Sequence, residues 1–324
     1  AFIKDHSYDI GFWEFVQYKF FTQWFSLRRY ALTKGIKIIG DMPIYVAYDS
    51  ADVWLNKGLF LLGKNFLPLK VAGVPPDLFS ESGQLWGNPL YDWSAMEKNG
   101  FDWWLRRFRF NSIMYDILRI DHFRGFASFY AVDYGRKDAV IGSWMDAPGE
   151  KLFELVSDKF PDLEIIAEDL GYITPDVENL LRKTGFPGMR VLQFGFDCNT
   201  DNPHHPDNYP YNCFAYTGTH DNQTTFAWYK DTDNKQREEI RRYTNETDPD
   251  RITDALIKAV LDSRAKTAII PMQDYMRLGD EARMNTPSTV TGNWTWRLKE
   301  DYADDLLTDR ILHMAVNSGR TLEK

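Results

Sequence analysis

The chain is 324 residues long, 44% hydrophobic, with a formal net charge of −9. That length and apolar content suit one large α/β domain or two ordinary ones with a sizeable core. The acidic balance, without a run of five like charges, argues against nucleic acid and anionic membranes as partners.

No apolar stretch reaches the roughly 18 residues of a membrane span, and no signal-peptide pattern is evident. Cys198 and Cys213, outside any C-x-x-C, read as two reduced thiols, so a cytoplasmic location is expected. The chain opens without Met and runs almost at once into a long helical pattern, and so reads as an excerpt of something longer.

Apolar residues at helical spacing predict a helix over 12–35 ending at Gly35. IKIIGDMPIYV (36–46) predicts a buried strand. Residues 47–100 read as irregular, rich in Gly, Pro and Trp, and 47–110 as an inserted region. A helix over 101–110 leads to the strand MYDILRIDHF. The helix GEKLFELVSDKF and the strand LEIIAEDLG follow. Thr174-Pro175 starts another helix, with Pro at its first position, ending near Gly185. The strands MRVLQFGF and NCFAYTGTHDN come next, then two helices, then the strand KTAIIPMQ.

Apolar strands alternating with helices predict a parallel sheet covered by helices. All six end in polar residues: Asp41, Asp121-His122, Glu168-Asp169, Gln193, His220-Asp221 and Gln273-Asp274. In a TIM (β/α)8 barrel the active site lies at the C-terminal ends of the strands. The main rival, a doubly wound open sheet, would also bind ligand there, but its G-x-G-x-x-G turn is absent. An α/β barrel is the expected fold.

Arg119 and Asp121 alternate onto one face of their strand, so the guanidinium should hold the carboxylate ionised. Glu168 follows an apolar run at the tip of another strand. Partial desolvation there should raise its pKa and let it hold a proton near neutrality. A third strand ends in His220, a hydrogen-bond donor, and Asp221, an acceptor for sugar hydroxyls. One ionised and one protonated carboxyl are what glycoside cleavage requires. Aromatic rings set in turn chemistry, as in SESGQLWGNPLYDW and GNWTWR, suit the flat faces of sugars. No H-E-x-x-H, calcium loop or G-x-S-x-G is present. His204-His205 reads as a surface pair, and the N-x-T triplets at Asn222, Asn245 and Asn293 as chance matches. No metal or cofactor is expected.

The segments GDMPIYV, ILRIDHFRGF, IIAEDLG and YTGTHDN resemble, in that order, the four strand-end motifs of the α-amylase superfamily. GVPPDLFSESGQLWGNPLYDW, PGMRVLQF and GNWTWR resemble one branch of it, the 4-α-glucanotransferases known as amylomaltases or disproportionating enzymes, glycoside hydrolase family 77. The resemblance covers nearly the whole chain. It implies a (β/α)8 barrel, here strands three to eight with inserted subdomains, the first two strands lying outside the sequence. The six strands should then form one arc, open between GIKIIGD and KTAIIPMQ, on which the three acids converge. It further implies that Asp121 is the nucleophile, Glu168 the acid/base, and Asp221 the group that stabilises the oxocarbenium-like transition state. Arg119, His220 and Asp41 are implied as binding or supporting residues, and Phe79, Gln84 and Trp86 as glucan contacts. Leu78 stands where the family usually has Tyr. The implied partners are α-1,4-glucans and maltooligosaccharides. An α-glucan hydrolase of the same superfamily, or an inactive glucan-binding fragment, are the alternatives.

Overall fold

The computed structural model describes residues 2–76, 80–287, 289–299 and 304–321. Its strands, in chain order, are β1 (Ile39–Pro43), β2 (Lys70–Val74), β3 (Gln84–Pro89), β4 (Ile117–Asp121), β5 (Ser128–Asp133), β6 (Ser143–Asp146), β7 (Glu164–Ala167), β8 (Gly188–Val191), β9 (Cys213–Tyr216) and β10 (Thr267–Ile269). The chain divides into two compact units, Ala1–Phe186 and Pro187–Lys324.

All six strands anticipated from the sequence form, and all pair in parallel. They make two three-stranded sheets, β1-β4-β7 in the first unit and β10-β9-β8 in the second. The expected single arc is therefore not one continuous ladder among the described residues.

The first unit also holds an antiparallel sheet, β3-β2-β5-β6, which the sequence reading missed. Two of its strands lie inside the 47–100 stretch read as irregular, and two come from 128–146. The long helix spans Ser7–Thr33 and buries none of its residues. It is pinned at Trp24, whose Nε1 donates to the Met114 carbonyl at 2.9 Å, and at Arg28, paired with Asp116 at 2.7 Å. The helix at Pro175–Thr184 ends on Gly185 in the left-handed conformation, as anticipated. No helix among the described residues is long and apolar enough to cross a membrane.

Aromatic packing fills the first unit. Trp93 stacks on Trp104 at 6.0 Å, and Tyr91, Phe108, Phe123, Phe126 and Phe153 are buried with them. Tyr91 and Trp93, read as part of a sugar-stacking surface, are thus core residues, and of that stretch Trp86 stays exposed. His204-His205 is not a surface pair. His204 accepts from the Val191 N–H at 3.2 Å and the His205 ring packs on Tyr243 at 4.7 Å, because the loop folds back over β8.

Gly40 sets how closely β1 lies on the first unit's core. A Cβ there would stand 2.0 Å from the half-buried Tyr115 ring, which would have to shift. Gly40→Ala is therefore expected to cost about 1–3 kcal/mol or more. A thermal midpoint within 1 °C of the wild type would show that Tyr115 moves aside freely.

Candidate active site

β1, β4 and β7 bring four charged residues of the first unit to their C-terminal ends. Asp41 lies opposite Arg119 in the parallel register of β1 and β4. The Arg119 guanidinium bridges two carboxylates, Asp41 at 2.5 Å and Asp121 at 3.1 Å. It is nearly buried, while the Asp121 side chain is 40% exposed. The strand alternation of Arg119 and Asp121 thus produces the ion pair anticipated from sequence. Asp41 proves to be the second half of the same grip.

Glu168 continues β7 by one residue. Its N–H donates to the Ile120 carbonyl at 3.0 Å, and its own carbonyl accepts from the Phe123 N–H at 3.1 Å. These bonds seat Glu168 beside Asp121, one strand spacing away, about 4.8 Å between backbones. Its carboxyl accepts from the His122 N–H at 2.7 Å and from the Leu170 N–H at 2.7 Å. His122 can present its N–H because it adopts the left-handed conformation, φ 53°, turning the chain immediately after Asp121.

Glu168 is 8% exposed. Burial, and next the negative charge of Asp121, push its pKa up to about 7, against the opposing pull of Arg119 and the two backbone N–H groups. Half the molecules carry the proton near neutrality. The His122 ring is driven the other way, down to about 3, by burial and then by Arg124. A neutral imidazole therefore faces the edge of Trp86, with ring centroids 4.7 Å apart. Trp86 is 37% exposed and donates to the Gln84 Oε1 at 3.1 Å, so both anticipated contact residues on β3 stand beside this group. Phe79 and Leu78 lie outside the described residues.

In the second unit, His220 and Asp221 sit on the loop after β9. The Asp221 carboxylate accepts from the Asn285 amide at 2.6 Å, and His220 Nε2 stands 3.3 Å from it. Arg283 donates to the Asp221 carbonyl at 2.8 Å. The His220 ring lies 5.1 Å from Trp294. Asn285 and Arg283 were not anticipated, and His122 was noted only as a polar strand end. Asn285 is 64 residues from Asp221, so no local spacing announces the pair. Among the described residues no group of three or more His, Cys, Asp or Glu is arranged to hold a metal ion.

A buried carboxyl poised near neutrality, next to an arginine-held carboxylate on the adjoining tip of a parallel sheet, is the arrangement that glycoside chemistry uses. The comparisons with known proteins give the family. The model described as 4-alpha-glucanotransferase, glycoside hydrolase family 77, matches residues 1–303, and the chain belongs to that family. It is 49% identical to a 4-alpha-glucanotransferase of Clostridium butyricum, over 96% of this chain and 64% of the relative. It is 50% identical to the chloroplastic/amyloplastic 4-alpha-glucanotransferase of Arabidopsis thaliana, over 94% of this chain and 53% of the relative. The structure matches the amylomaltase of Streptococcus agalactiae in complex with acarbose with a TM-score of 0.95 and 41% identity, covering 99% of this chain and 65% of that one. An α-amylase of Geobacillus thermoleovorans shares the fold in outline, with a TM-score of 0.53 at 13% identity, over 91% of this chain and 60% of that one. The chain thus spans between half and two thirds of the length of these relatives.

Proposed function

We propose that the protein this chain represents is a 4-α-glucanotransferase that moves α-1,4-glucan segments between maltooligosaccharides by a retaining double displacement. The observation that carries the reading is Glu168, a buried carboxyl with its pKa near 7 beside the arginine-bound Asp121. In the first step Asp121 Oδ attacks the anomeric carbon. The glycosidic C–O bond breaks, and Glu168 gives its proton to the departing oxygen. In the second step the ionised Glu168 takes the proton of an incoming sugar hydroxyl, whose oxygen displaces Asp121. Residues one strand spacing apart support the roughly 5–5.5 Å carboxyl separation of retaining enzymes. Asp221, fixed by Asn285 and close to His220, would grip sugar hydroxyls and stabilise the oxocarbenium-like transition state. Arg119 and Asp41 would orient the nucleophile, and Gln84, Trp86 and Phe79 would contact glucan. No step calls for a cofactor.

On this reading the six parallel strands are strands three to eight of a (β/α)8 barrel, residues 1–324 are its catalytic part, and 47–110 is an inserted region. Incubation of the protein with maltotriose tests the activity. A ladder of longer maltooligosaccharides plus glucose is expected. A one-way run to short sugars would make it a hydrolase, and no turnover would leave a glucan-binding fragment.

Trp86 offers a narrower test. Its indole borders His122 and stays partly open to solvent, as a sugar-stacking ring should. Trp86→Ala is expected to raise KM for maltotriose about five- to tenfold, an aromatic contact's worth, and to increase the share of hydrolysis because water enters more easily. An unchanged KM and product ratio would remove Trp86 from the binding surface.

A further inference from the structure

Two strand-end polar residues of the second unit, Gln193 and Asp274, take no part in the chemistry proposed above, yet both are almost fully buried. Asp274 lies in the short helix Met272–Tyr275 after β10 and is 1% exposed. Its Oδ2 accepts from the Thr217 hydroxyl at 2.5 Å and from the Thr225 hydroxyl at 2.7 Å, and its Oδ1 from the Thr225 N–H at 2.7 Å. Thr217 is the first residue after β9, and Thr225 opens the helix Thr225–Asp231. One carboxyl group therefore holds both ends of the nine-residue stretch whose middle carries His220 and Asp221.

Gln193, after β8, holds the same stretch from the other side. Its Nε2 donates to the Gln223 carbonyl at 3.0 Å, and its N–H to the Thr217 carbonyl at 3.4 Å. Gly218 lets it come this close: a Cβ there would stand 2.6 Å from the Gln193 amide nitrogen. Within the stretch, Thr219 and Asn222 close a tight turn. The Asn222 Oδ1 accepts from the Thr219 N–H at 2.9 Å and from its hydroxyl at 2.8 Å, and the Thr219 hydroxyl accepts from the Asp221 N–H at 3.3 Å. The backbone that carries Asp221 is thus fixed by a chain of local bonds within a stretch whose two ends converge on Asp274, while its carboxylate is held by Asn285.

We propose that Asp274 is a positioning residue for Asp221, setting where that carboxylate stands by tying Thr217 and Thr225 to one buried group. The proposal rests on the glucanotransferase reading for the role of Asp221, and on the hydrogen bonds alone for the clamp. A shift of about 1 Å in a group that serves the transition state can cost 100-fold in rate, so a loop carrying such a group needs fixed ends. A carboxyl is suited to this because its two oxygens accept several donors at once. An Asn can reproduce the pattern. Its Oδ1 takes the Thr225 N–H, and its amide donates to the two hydroxyls, whose protons rotate away. Alanine cannot, and leaves a buried N–H and two hydroxyls without partners.

The test compares Asp274→Ala, Asp274→Asn, Thr217→Val and Thr225→Val in the whole protein. With maltotriose, Asp274→Ala is expected to lower kcat at least tenfold with KM moved less than threefold, and Asp274→Asn to recover kcat to within about threefold. The two Val variants, each missing one hydroxyl bond, should fall between. They keep the idea exposed if Asp274→Ala does not fold. A kcat in folded Asp274→Ala, or in both Val variants, within twofold of the wild type would overturn the proposal. So would an equal loss in Asp274→Asn and Asp274→Ala. The imidazole NMR resonances of His220 give a readout that needs no turnover. They should move in Asp274→Ala and return near their wild-type positions in Asp274→Asn. If the wild type fails to transfer glucan, the functional reading falls while the His220 resonances still decide the clamp. Unmoved resonances in folded Asp274→Ala would refute it.

Discussion

Asp121→Asn is expected to abolish glucan transfer while leaving glucan binding nearly unchanged. The amide is close to isosteric, and its oxygen can still accept from Arg119, which also keeps Asp41 as a partner. What is lost is the anionic oxygen that forms the bond to the anomeric carbon. Removing a nucleophile outright costs on the order of 10³- to 10⁶-fold in kcat. The dissociation constant for maltotriose should stay within about threefold. The variant should also fail to acquire the mass of one glycosyl unit when mixed with an activated donor, whereas the wild type should acquire it transiently. Retention of more than a few per cent of wild-type transfer would remove Asp121 from the role. A second consequence follows from electrostatics. The negative charge of Asp121 is the second contributor to the raised pKa of Glu168, after burial. Neutralising it should bring the Glu168 pKa down toward the ordinary carboxylate range, by an amount that carbon-detected NMR of the carboxyl can read.

The six parallel strands were legible because each is a short apolar run that stops at polar residues, the pattern that a helix-covered sheet imposes. The antiparallel sheet was not. β2 contains Gly73, and β3 is interrupted by Gly87, at φ 78°, and ends on Pro89. Such residues read as turn rather than strand. β5 begins only seven residues after β4 ends, with no turn dipeptide between them. The acids at the strand tips could be located, and alternation placed Arg119 on the face of Asp121. What could not be read is how each acid is held. The hold on Glu168 depends on a left-handed His122, a conformation no local residue requires. The hold on Asp221 depends on Asn285 and Arg283, more than sixty residues away. Gln193 and Asp274 were noted only as polar strand ends. Their partners emerge when three strands come side by side, which is a property of topology and not of spacing.

Glu168→Gln separates the acid from the base and is expected to give the sharpest contrast between donors. With its folded pKa at about 7 and its ordinary value at 4.5, Glu168 holds a proton in roughly half the molecules at pH 7, against about one in 300 for an unperturbed glutamate. For maltotriose, whose leaving oxygen needs that proton, kcat/KM should fall about tenfold per pH unit above about 7. For α-glucosyl fluoride, whose leaving group needs little protonation, the profile should stay nearly flat there. In Glu168→Gln, transfer from maltotriose should drop by at least 10³-fold. Formation of the glycosyl-enzyme from the fluoride should drop far less, and the intermediate should accumulate because no base activates the incoming hydroxyl. Equal losses on both donors would take the acid role away from Glu168. The same pKa shift has a stability signature with a definite sign. Because the folded-state pKa is raised, the proton favours the folded state. This contribution is fully present below pH about 4.5 and is lost as the pH rises through about 7. Relative to Glu168→Gln, which carries no titrating group there, the wild type should therefore lose stability across that window. Complete expression of the shift would make the loss about 3 kcal/mol, so denaturant midpoints measured from pH 4.5 to 8 should converge on the acid side and diverge on the basic side. A gap that stays constant over that range would mean that Glu168 ionises in the folded protein as it does in the unfolded chain, and the acid assignment would lose its physical basis.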